Sequence, residues 1–186
     1  SIDYASHGIK DALLIDNTGA FRDREGLSRH LKAKGISKVM LTAPGKGDIP
    51  NIVFGVNHKK YNPENNDEQI FSAASCTTNA IVPPLAVIEK KLGIQKGHVE
   101  TIHAYTNDQN LLYNYHKKPR RGRSAPLNMV ITSTGAGLAA AKAIPSLKGK
   151  LTANAVRVPV ANVSLALLSL TVDKPASKEE IIEIIR

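Results

Sequence analysis

The sequence predicts an α/β region followed by an α+β region, and two observations carry that prediction. In the first part of the chain, short apolar runs alternate with a helical stripe in the order strand, helix, strand, which is typical of a parallel sheet. Near the end, residues 151–160 and 163–172 form two long apolar runs. The second run partly alternates between apolar and polar side chains, as an antiparallel strand with one buried face does.

The first predicted elements are strands joined by a helix. Residues 12–16 are an apolar run closed by an Asn-Thr-Gly turn, which predicts a strand. Residues 23–34 carry leucines four positions apart and are followed by a glycine, which predicts a short amphipathic helix. Apolar runs at 38–42 and 52–56 predict the second and third strands, and residues 58–69 predict an Asn-rich loop.

Helical and strand patterns continue in the second part of the chain. The apolar set at 81–92 predicts a helix with Pro83 and Pro84 early in it, where their missing N–H groups matter least. Residues 99–106 predict a strand. The remaining elements are a loop at 107–126, an Ala-rich helix at 135–144, the two strands at 151–160 and 163–172, and a final helix with a capping pattern at 177–180.

Composition excludes several classes of protein. A single cysteine excludes an internal disulfide and a multi-thiolate zinc site. The five histidines other than His103 lack metal-ligand spacing and are interpreted as surface residues. No apolar run reaches the length of about 18 residues that a membrane span needs, and the first ten residues have no secretory apolar region. We therefore expect a soluble, cytoplasmic protein.

Positive charge is concentrated in residues 116–123, which we name the basic segment. The chain has a formal net charge of +9, and five of its Lys and Arg side chains lie in this segment with no acid beside them. Such a cluster suits nucleic acid, a small anion or a contact between subunits. No nucleic-acid motif surrounds the segment and aromatic residues make up 4% of the chain, which disfavours nucleic acid as the main partner.

Cys76 is the candidate nucleophile. It lies beside the predicted start of a helix, where the partial positive charge favours the thiolate over the thiol. His103, on the next predicted strand, could accept the thiol proton or pair with the thiolate. The alternative is structural, with Cys76 a small buried hydrophobic residue and His103 a hydrogen-bonded core residue. The residues alone leave both interpretations open.

Residues 72–79, Ser-Ala-Ala-Ser-Cys-Thr-Thr-Asn, closely resemble the active-site signature of the phosphorylating glyceraldehyde-3-phosphate dehydrogenase family. Other segments resemble the family's sequence in the same order: 16–21, 41–46, 55–58, 101–106, 133–136, 157–159 and 161–164. The resemblance implies the end of a Rossmann-type NAD-binding domain at 1–74. It further implies the N-terminal and central part of a mixed, antiparallel-sheet catalytic domain at 75–186, both domains being incomplete.

The resemblance also implies a reaction. Cys76 would attack the aldehyde carbon of glyceraldehyde 3-phosphate and form a thiohemiacetal. His103 would stabilise the oxyanion and accept the proton as hydride leaves for NAD, or NADP. Inorganic phosphate would then release the product, 1,3-bisphosphoglycerate, from the thioester.

Binding residues follow from the same resemblance. Thr106, Asp108 and Arg157 would line a site for the substrate phosphate. The residues implied for the attacking phosphate or the nearby substrate route are Ser75, Thr77, Thr134, Gly135 and, by loop movement, Arg123. Thr18, Gly19 and Thr42 would lie along the dinucleotide.

The resemblance finally implies partners and alternatives. It implies a homotetramer for the full-length form, with residues 107–126 against the cofactor of a neighbouring subunit. The glycine-rich dinucleotide fingerprint is expected before the first residue. Residues 107–110, Asn-Asp-Gln-Asn, partly resemble the erythrose-4-phosphate dehydrogenases, which makes that tetrose phosphate an alternative substrate. A non-catalytic binding fragment and an inactive remnant are the alternatives for the chain as a whole.

Overall fold

The computed structural model describes residues 2–61, 67–132 and 134–186, and the chain divides into two compact units. The first unit comprises Ser1–Pro83 with Lys142–Ile144, and the second comprises Pro84–Ala141 with Pro145–Arg186. The domain boundary expected after residue 74 stays a prediction. Ser133 of one matched segment, and residues 62–66 of the Asn-rich loop, lie outside the described residues.

The first unit contains a three-stranded parallel sheet in the order β1-β2-β3. Its strands are β1 (Ala12–Asp16), β2 (Ile36–Leu41) and β3 (Ile70–Ser72). Helix α1 (Arg24–Leu31) joins the first two strands, and short 3-10 helices lie at Ala5–His7 and His58–Tyr61. The strand–helix–strand order expected for a parallel α/β region is confirmed.

An apolar cluster holds α1 against this sheet. Leu27 of α1 and Val39 and Leu41 of β2 are fully buried, and Leu31 packs against the same cluster. Burying an aliphatic side chain of this size contributes roughly 1.5–3 kcal/mol to stability. The pair of leucines that predicted an amphipathic helix therefore faces the sheet.

The third strand does not lie at the expected position. Residues 52–56 form no named strand; beside them is only an isolated bridge between Asn51 and Ser72, and the prediction of a strand there is wrong. The Asn57 side chain accepts a hydrogen bond from Val53 N at 2.7 Å and donates one to Asn51 O at 3.0 Å. With Gly55 at φ 82°, these bonds turn the backbone instead of extending it.

The second unit contains a four-stranded mixed sheet in the order β5-β6-β4-β7. Its strands are β4 (Ile94–Ala104), β5 (Val130–Thr132), β6 (Leu151–Val158) and β7 (Ser164–Val172). β4 runs parallel to β6 and antiparallel to β7, and β5 runs antiparallel to β6. The mixed-sheet α+β region is therefore confirmed, as is the antiparallel pairing expected from the alternation in β7.

The other helices are α2 (Cys76–Leu92), α3 (Ala136–Ala143) and α4 (Lys178–Ile185), with 3-10 helices at Pro119–Gly122 and Pro145–Leu147. The capping pattern expected for α4 is confirmed, because Ser177 Oγ accepts a hydrogen bond from Glu180 N while the Glu180 carboxylate accepts one from Ser177 N. Among the helices of the described residues, none has the length and apolar character that a membrane crossing requires.

Helix α2 begins earlier than the apolar pattern indicates. Ser75 Oγ accepts a hydrogen bond from Thr78 N at 3.0 Å, which caps the helix and sets its first residue at Cys76. Pro83 and Pro84 consequently lie in the helix interior, and the expectation that they sit near its start is wrong. The helix begins earlier than predicted because its capping residue, Ser75, lies outside the apolar residues on which the prediction was based.

Candidate active site

Cys76 is exposed and is the first residue of α2. Its neighbours fix the backbone on both sides: Ser75 caps the helix, and Asn79 Nδ2 donates to the carbonyl oxygens of Ser75 at 2.9 Å and Ala73 at 2.8 Å. The exposed thiol excludes the interpretation of Cys76 as a small buried hydrophobic residue. A thiol at the first position of a 17-residue helix also lies at the positive end of the helix dipole.

The turn that leads into this helix is strained. Ala74 has φ 61°, is 4% exposed, and donates its backbone N–H to Ser72 Oγ at 2.9 Å. The left-handed region costs a residue with a Cβ roughly 1–2 kcal/mol. Strain of this kind persists where the surrounding structure imposes it, and it clusters at functional sites. Here it lies between β3 and Cys76.

His103 lies near the end of β4, in a row of three cross-strand neighbours. Its register partners are Arg157 on β6 and Ser164 on β7, and the distance from its Nδ1 to Ser164 Oγ is 2.7 Å. Burial, and secondarily the positive charge of Arg157, lower the pKa of His103. The ring is therefore neutral near pH 7, and a neutral imidazole has one nitrogen that can accept a proton.

A second strained residue immediately precedes Ser164. Val163 has φ 68°, which is an outlier for a β-branched side chain. Its backbone N–H donates to Asn162 Oδ1 at 2.8 Å, and its carbonyl oxygen accepts from Ala104 N at 3.3 Å. A residue with positive φ thus comes directly before Ser75, which caps α2, and another comes directly before Ser164, whose hydroxyl contacts His103.

Replacing Val163 by glycine should stabilise the protein. The side chain is 77% exposed, so little packing is lost, while the left-handed conformation carries no Cβ penalty in glycine. After allowing for the greater freedom of glycine in the unfolded chain, the free energy of unfolding should rise by roughly 0.5–1 kcal/mol, measured by urea denaturation. Val160→Gly, at a nearby valine without positive φ, should instead be destabilising. Equal decreases in the free energy of unfolding of Val163→Gly and Val160→Gly would contradict the presence of strain at Val163.

The residues expected to bind the substrate phosphate gather around the end of β4. Thr106 and Asp108 follow this strand directly, and Thr106 N donates to Gln109 Oε1 at 2.8 Å. Arg157 Nη1 donates to the carbonyl oxygen of Ala104 at 3.1 Å. Asp108 forms an ion pair with Arg121, so its negative charge is compensated. A guanidinium, a hydroxyl and backbone N–H groups are suitable partners for a phosphate.

Three residues of this region were not among the site residues expected from the sequence. Arg121 pairs with Asp108 and donates through Nε and Nη2 to Thr132 Oγ1 at 3.0 and 2.9 Å. Burial, then the positive charge of Arg157, lower the pKa of Arg121. Ser164 would have been found by pairing β4 with β7 in antiparallel register. Gln109, 3% exposed, carried no sequence signal.

The residues expected around the attacking phosphate fall into two groups. In the first unit, Ser75 and Thr77 flank Cys76 at the start of α2. In the second unit, Thr134 Oγ1 accepts a hydrogen bond from Ala136 N at 3.2 Å at the start of α3, and Gly135 is exposed with open space where a Cβ would lie. Arg123 follows the 3-10 helix of the basic segment, and its side chain is exposed.

The residues expected along the dinucleotide lie at the carboxyl edge of the parallel sheet, where α/β sheets bind ligands. Thr18 donates through its backbone N–H and hydroxyl to Asp16 Oδ1 at 2.9 and 2.8 Å, and Thr42 N donates to Asp16 O at 3.0 Å. Gly19 has φ 74°. Burial raises the pKa of Asp16, but hydrogen bonds from Thr18 and His30 outweigh it and hold the pKa below its ordinary value. Thr18, Gly19 and Thr42 are all exposed at this edge, and their role in dinucleotide binding stays a prediction.

The histidines other than His103 differ in their exposure. No group of three or more His, Cys, Asp or Glu side chains that could hold a metal occurs in the part of the chain that the structure describes. The expectation that these histidines lie on the surface holds fully for His7 alone. His30 is half-buried because it bonds to the Asp16 carboxylate at 2.9 Å, and His98 because it bonds to Thr152 and Asn154.

The lowered pKa of His103 predicts a pH dependence of stability. The unfolded chain binds a proton at this residue near its ordinary value of 6.5, whereas the folded protein binds it only at lower pH. The free energy of unfolding should therefore fall as the pH drops below about 6.5. His103→Asn should reduce this fall, and His98→Asn should leave it in place, in urea unfolding measured from about pH 7.5 to about pH 5. Identical pH dependence in wild type and His103→Asn would contradict the assignment.

Comparison with known proteins identifies the family. Residues 75–186 match the model of the glyceraldehyde 3-phosphate dehydrogenase C-terminal domain. A glyceraldehyde-3-phosphate dehydrogenase-like protein of Pseudomonas aeruginosa (strain UCBPP-PA14) is 62% identical over 186 residues, which are 100% of this chain and 40% of that protein. The chloroplastic glyceraldehyde-3-phosphate dehydrogenase A of Zea mays is 52% identical over 91% of this chain and 41% of its own length.

A relative from a second bacterium is also a glyceraldehyde-3-phosphate dehydrogenase. Glyceraldehyde-3-phosphate dehydrogenase 1 of Bacillus cereus is 42% identical over 96% of this chain and 52% of its own length. The chain therefore spans about half or less of the length of these relatives. The family match covers more than half of the chain, including Cys76 and His103. This chain belongs to the glyceraldehyde-3-phosphate dehydrogenase family.

Proposed function

We propose that the protein oxidises and phosphorylates glyceraldehyde 3-phosphate to 1,3-bisphosphoglycerate, a reaction of glycolysis and gluconeogenesis, with NAD or NADP as the oxidant. The observation that carries the proposal is the exposed thiol of Cys76 as first residue of a helix capped by Ser75, two residues after strained Ala74. The dehydrogenase names of the relatives support the reaction class.

Cys76 begins the reaction as the nucleophile. Its sulfur forms a bond to the aldehyde carbon, the carbonyl π bond breaks, and the resulting thiohemiacetal oxygen takes a proton. The positive end of α2 favours negative charge on the sulfur before the attack. An exposed sulfur is accessible to a diffusing aldehyde, whereas a buried one is not.

His103 is the proton acceptor. As the carbon–hydrogen bond breaks, the imidazole takes the hydroxyl proton of the thiohemiacetal and a thioester forms on Cys76. Burial keeps the ring neutral, and Ser164 Oγ at 2.7 Å from Nδ1 fixes its orientation. A phosphate oxygen then attacks the thioester carbon, and the carbon–sulfur bond breaks to return the thiolate.

NAD, when bound, supplies the nicotinamide ring that accepts the hydride. Thr18, Gly19 and Thr42 would hold it at the carboxyl edge of the parallel sheet. Thr106, Asp108 and Arg157 would bind the substrate phosphate, with Asp108 neutralised by Arg121. The residues proposed for the attacking phosphate are Ser75, Thr77, Arg123, Thr134 and Gly135.

Assembly and location complete the proposal. We place the protein in the cytoplasm, and the full-length form is a homotetramer. Neither a membrane nor nucleic acid is its main partner.

The test is to trap the thioester. The protein is incubated with glyceraldehyde 3-phosphate and NAD without phosphate, digested, and examined by mass spectrometry for an acyl group on the Cys76 peptide. We expect acylation of Cys76 that disappears when inorganic phosphate is added. Stronger acylation by erythrose 4-phosphate would reassign the substrate. Acylation at another residue, or none with either aldehyde, would contradict the proposal.

A further inference from the structure

Ser72 is a fully buried residue of β3 whose hydroxyl connects two loops. Its Oγ donates to Ala43 O at 2.6 Å and accepts from Gly45 N at 3.2 Å, both in the loop that follows β2. It also accepts from Ala74 N at 2.9 Å, in the turn that leads to α2. A serine hydroxyl has one hydrogen and two lone pairs, so these three bonds use its full capacity.

The backbone of Ser72 is held independently of these side-chain contacts. Ser72 pairs with Leu41 of β2 in the parallel sheet. Its N–H donates to Pro50 O at 2.9 Å, and its carbonyl oxygen accepts from Ile52 N at 2.7 Å. The substitution Ser72→Ala therefore removes the bonds of the hydroxyl and leaves those of the strand.

Loss of this hydroxyl affects its two donors unequally. Gly45 N has a second acceptor in Asn51 Oδ1 at 3.0 Å, and the Asn51 side chain is itself held by bonds from its Nδ2 to Gly45 O and Ile49 O. Ala74, which is 4% exposed, would instead lose the acceptor of a buried N–H. A buried donor without an acceptor is destabilising, so the turn before α2 depends on Ser72 more than the loop after β2 does.

Ala74 is also in a conformation that it would leave if this bond were lost. Its φ of 61° lies in the left-handed region, which is unfavourable for a residue with a Cβ. Without the bond from Ala74 N to Ser72 Oγ, relaxation to a negative φ becomes favourable. Because Ala74 lies two residues before Cys76, such a relaxation would redirect the chain that carries the sulfur.

We propose that Ser72 is a positioning residue for the nucleophile, a role that rests on the proposed function of Cys76. Its hydroxyl holds Ala74 in the left-handed conformation and so sets the direction in which the chain reaches the thiol. Ser72 is buried whereas Cys76 is exposed, so Ser72 acts through the turn and does not touch substrate. The same hydroxyl holds the loop directly after Thr42, which connects the nucleophile to a residue proposed for the dinucleotide edge.

The experiment measures the rate at which iodoacetamide alkylates Cys76 at neutral pH, followed by intact mass. Ser72→Ala is compared with wild type and with Ser37→Ala, which removes a hydroxyl that donates to Ala12 O from the neighbouring strand β2. Circular dichroism checks that each variant folds. We expect alkylation to slow at least about threefold in Ser72→Ala and to stay within about 1.5-fold of wild type in Ser37→Ala.

The variant Ala74→Gly separates positioning from general stability. Glycine adopts a positive φ without a Cβ penalty, so its turn has no strain to release when the hydroxyl is lost. Ala74→Gly alone should react within about 1.5-fold of wild type, and adding Ser72→Ala to it should change the rate by less than about twofold. A merely structural role of Ser72 would instead slow alkylation equally with alanine or glycine at position 74.

Three results would overturn this role of Ser72: unchanged alkylation in Ser72→Ala, equal slowing in Ser37→Ala, or a double variant as slow as Ser72→Ala. If Ser72→Ala does not fold, a double variant that folds and reacts like Ala74→Gly supports the role. A double variant that stays unfolded or reacts more slowly overturns it.

Alkylation needs no aldehyde, so its result is independent of the thioester test. Absence of acylation would overturn the proposed function. Normal alkylation of Ser72→Ala, in a protein whose Cys76 is acylated by the aldehyde, would overturn the role of Ser72 alone.

Discussion

Cys76→Ser should lower the rate of acyl phosphate formation by at least about 10³-fold. The serine hydroxyl has nearly the same size as the thiol, but it is a far weaker nucleophile at neutral pH because it stays protonated. Cys76 is exposed, so the change should leave the fold intact. The measurement is reduced-cofactor formation from glyceraldehyde 3-phosphate and phosphate, followed by absorbance.

A matched control lies on the same helix. Ala80 is exposed one turn beyond Cys76, and Ala80→Ser introduces the same hydroxyl without touching the proposed reaction. It should retain activity within about twofold, because exposed substitutions on a helix are usually nearly neutral. If the Cys76→Ser variant kept its activity, Cys76 would not be the nucleophile.

His103→Asn should reduce kcat/KM by about 10²- to 10⁴-fold, which is the range that a general base contributes. Asparagine keeps a polar side chain opposite Ser164 but cannot accept the proton. His98→Asn is the matched control, since His98 is on the same strand and also bonded to neighbouring side chains. Similar losses in both variants would indicate damage to β4 instead of loss of a base.

Local patterns in the sequence were sufficient for much of the fold. β1 was predicted with its observed bounds because its apolar run ends at a clear turn, and α4 because its capping pattern is local. The strand expected at 52–56 failed because an Asn57 side chain satisfies backbone groups that a strand would pair. Apolar content cannot reveal such a bond.

The sequence supplied the candidate residues but not the contacts that position them. Cys76 and His103 were chosen from residue type and from the family's motifs, and their roles stay predictions. The row formed by Arg157, His103 and Ser164 depends on the register of β6, β4 and β7, which is set by long-range pairing. The positive φ of Ala74 was invisible in the sequence, since alanine is not a residue that the left-handed region favours.

Alkylation of Cys76 by iodoacetamide, followed by intact mass, is the most direct test of the central claim that this sulfur is the reactive nucleophile. It needs neither cofactor nor substrate, and Cys76 is the only thiol that can react. At neutral pH, Cys76 should react faster than free cysteine, and His103→Asn should slow it while His98→Asn does not. A rate equal to that of free cysteine, unchanged in His103→Asn, would contradict the account.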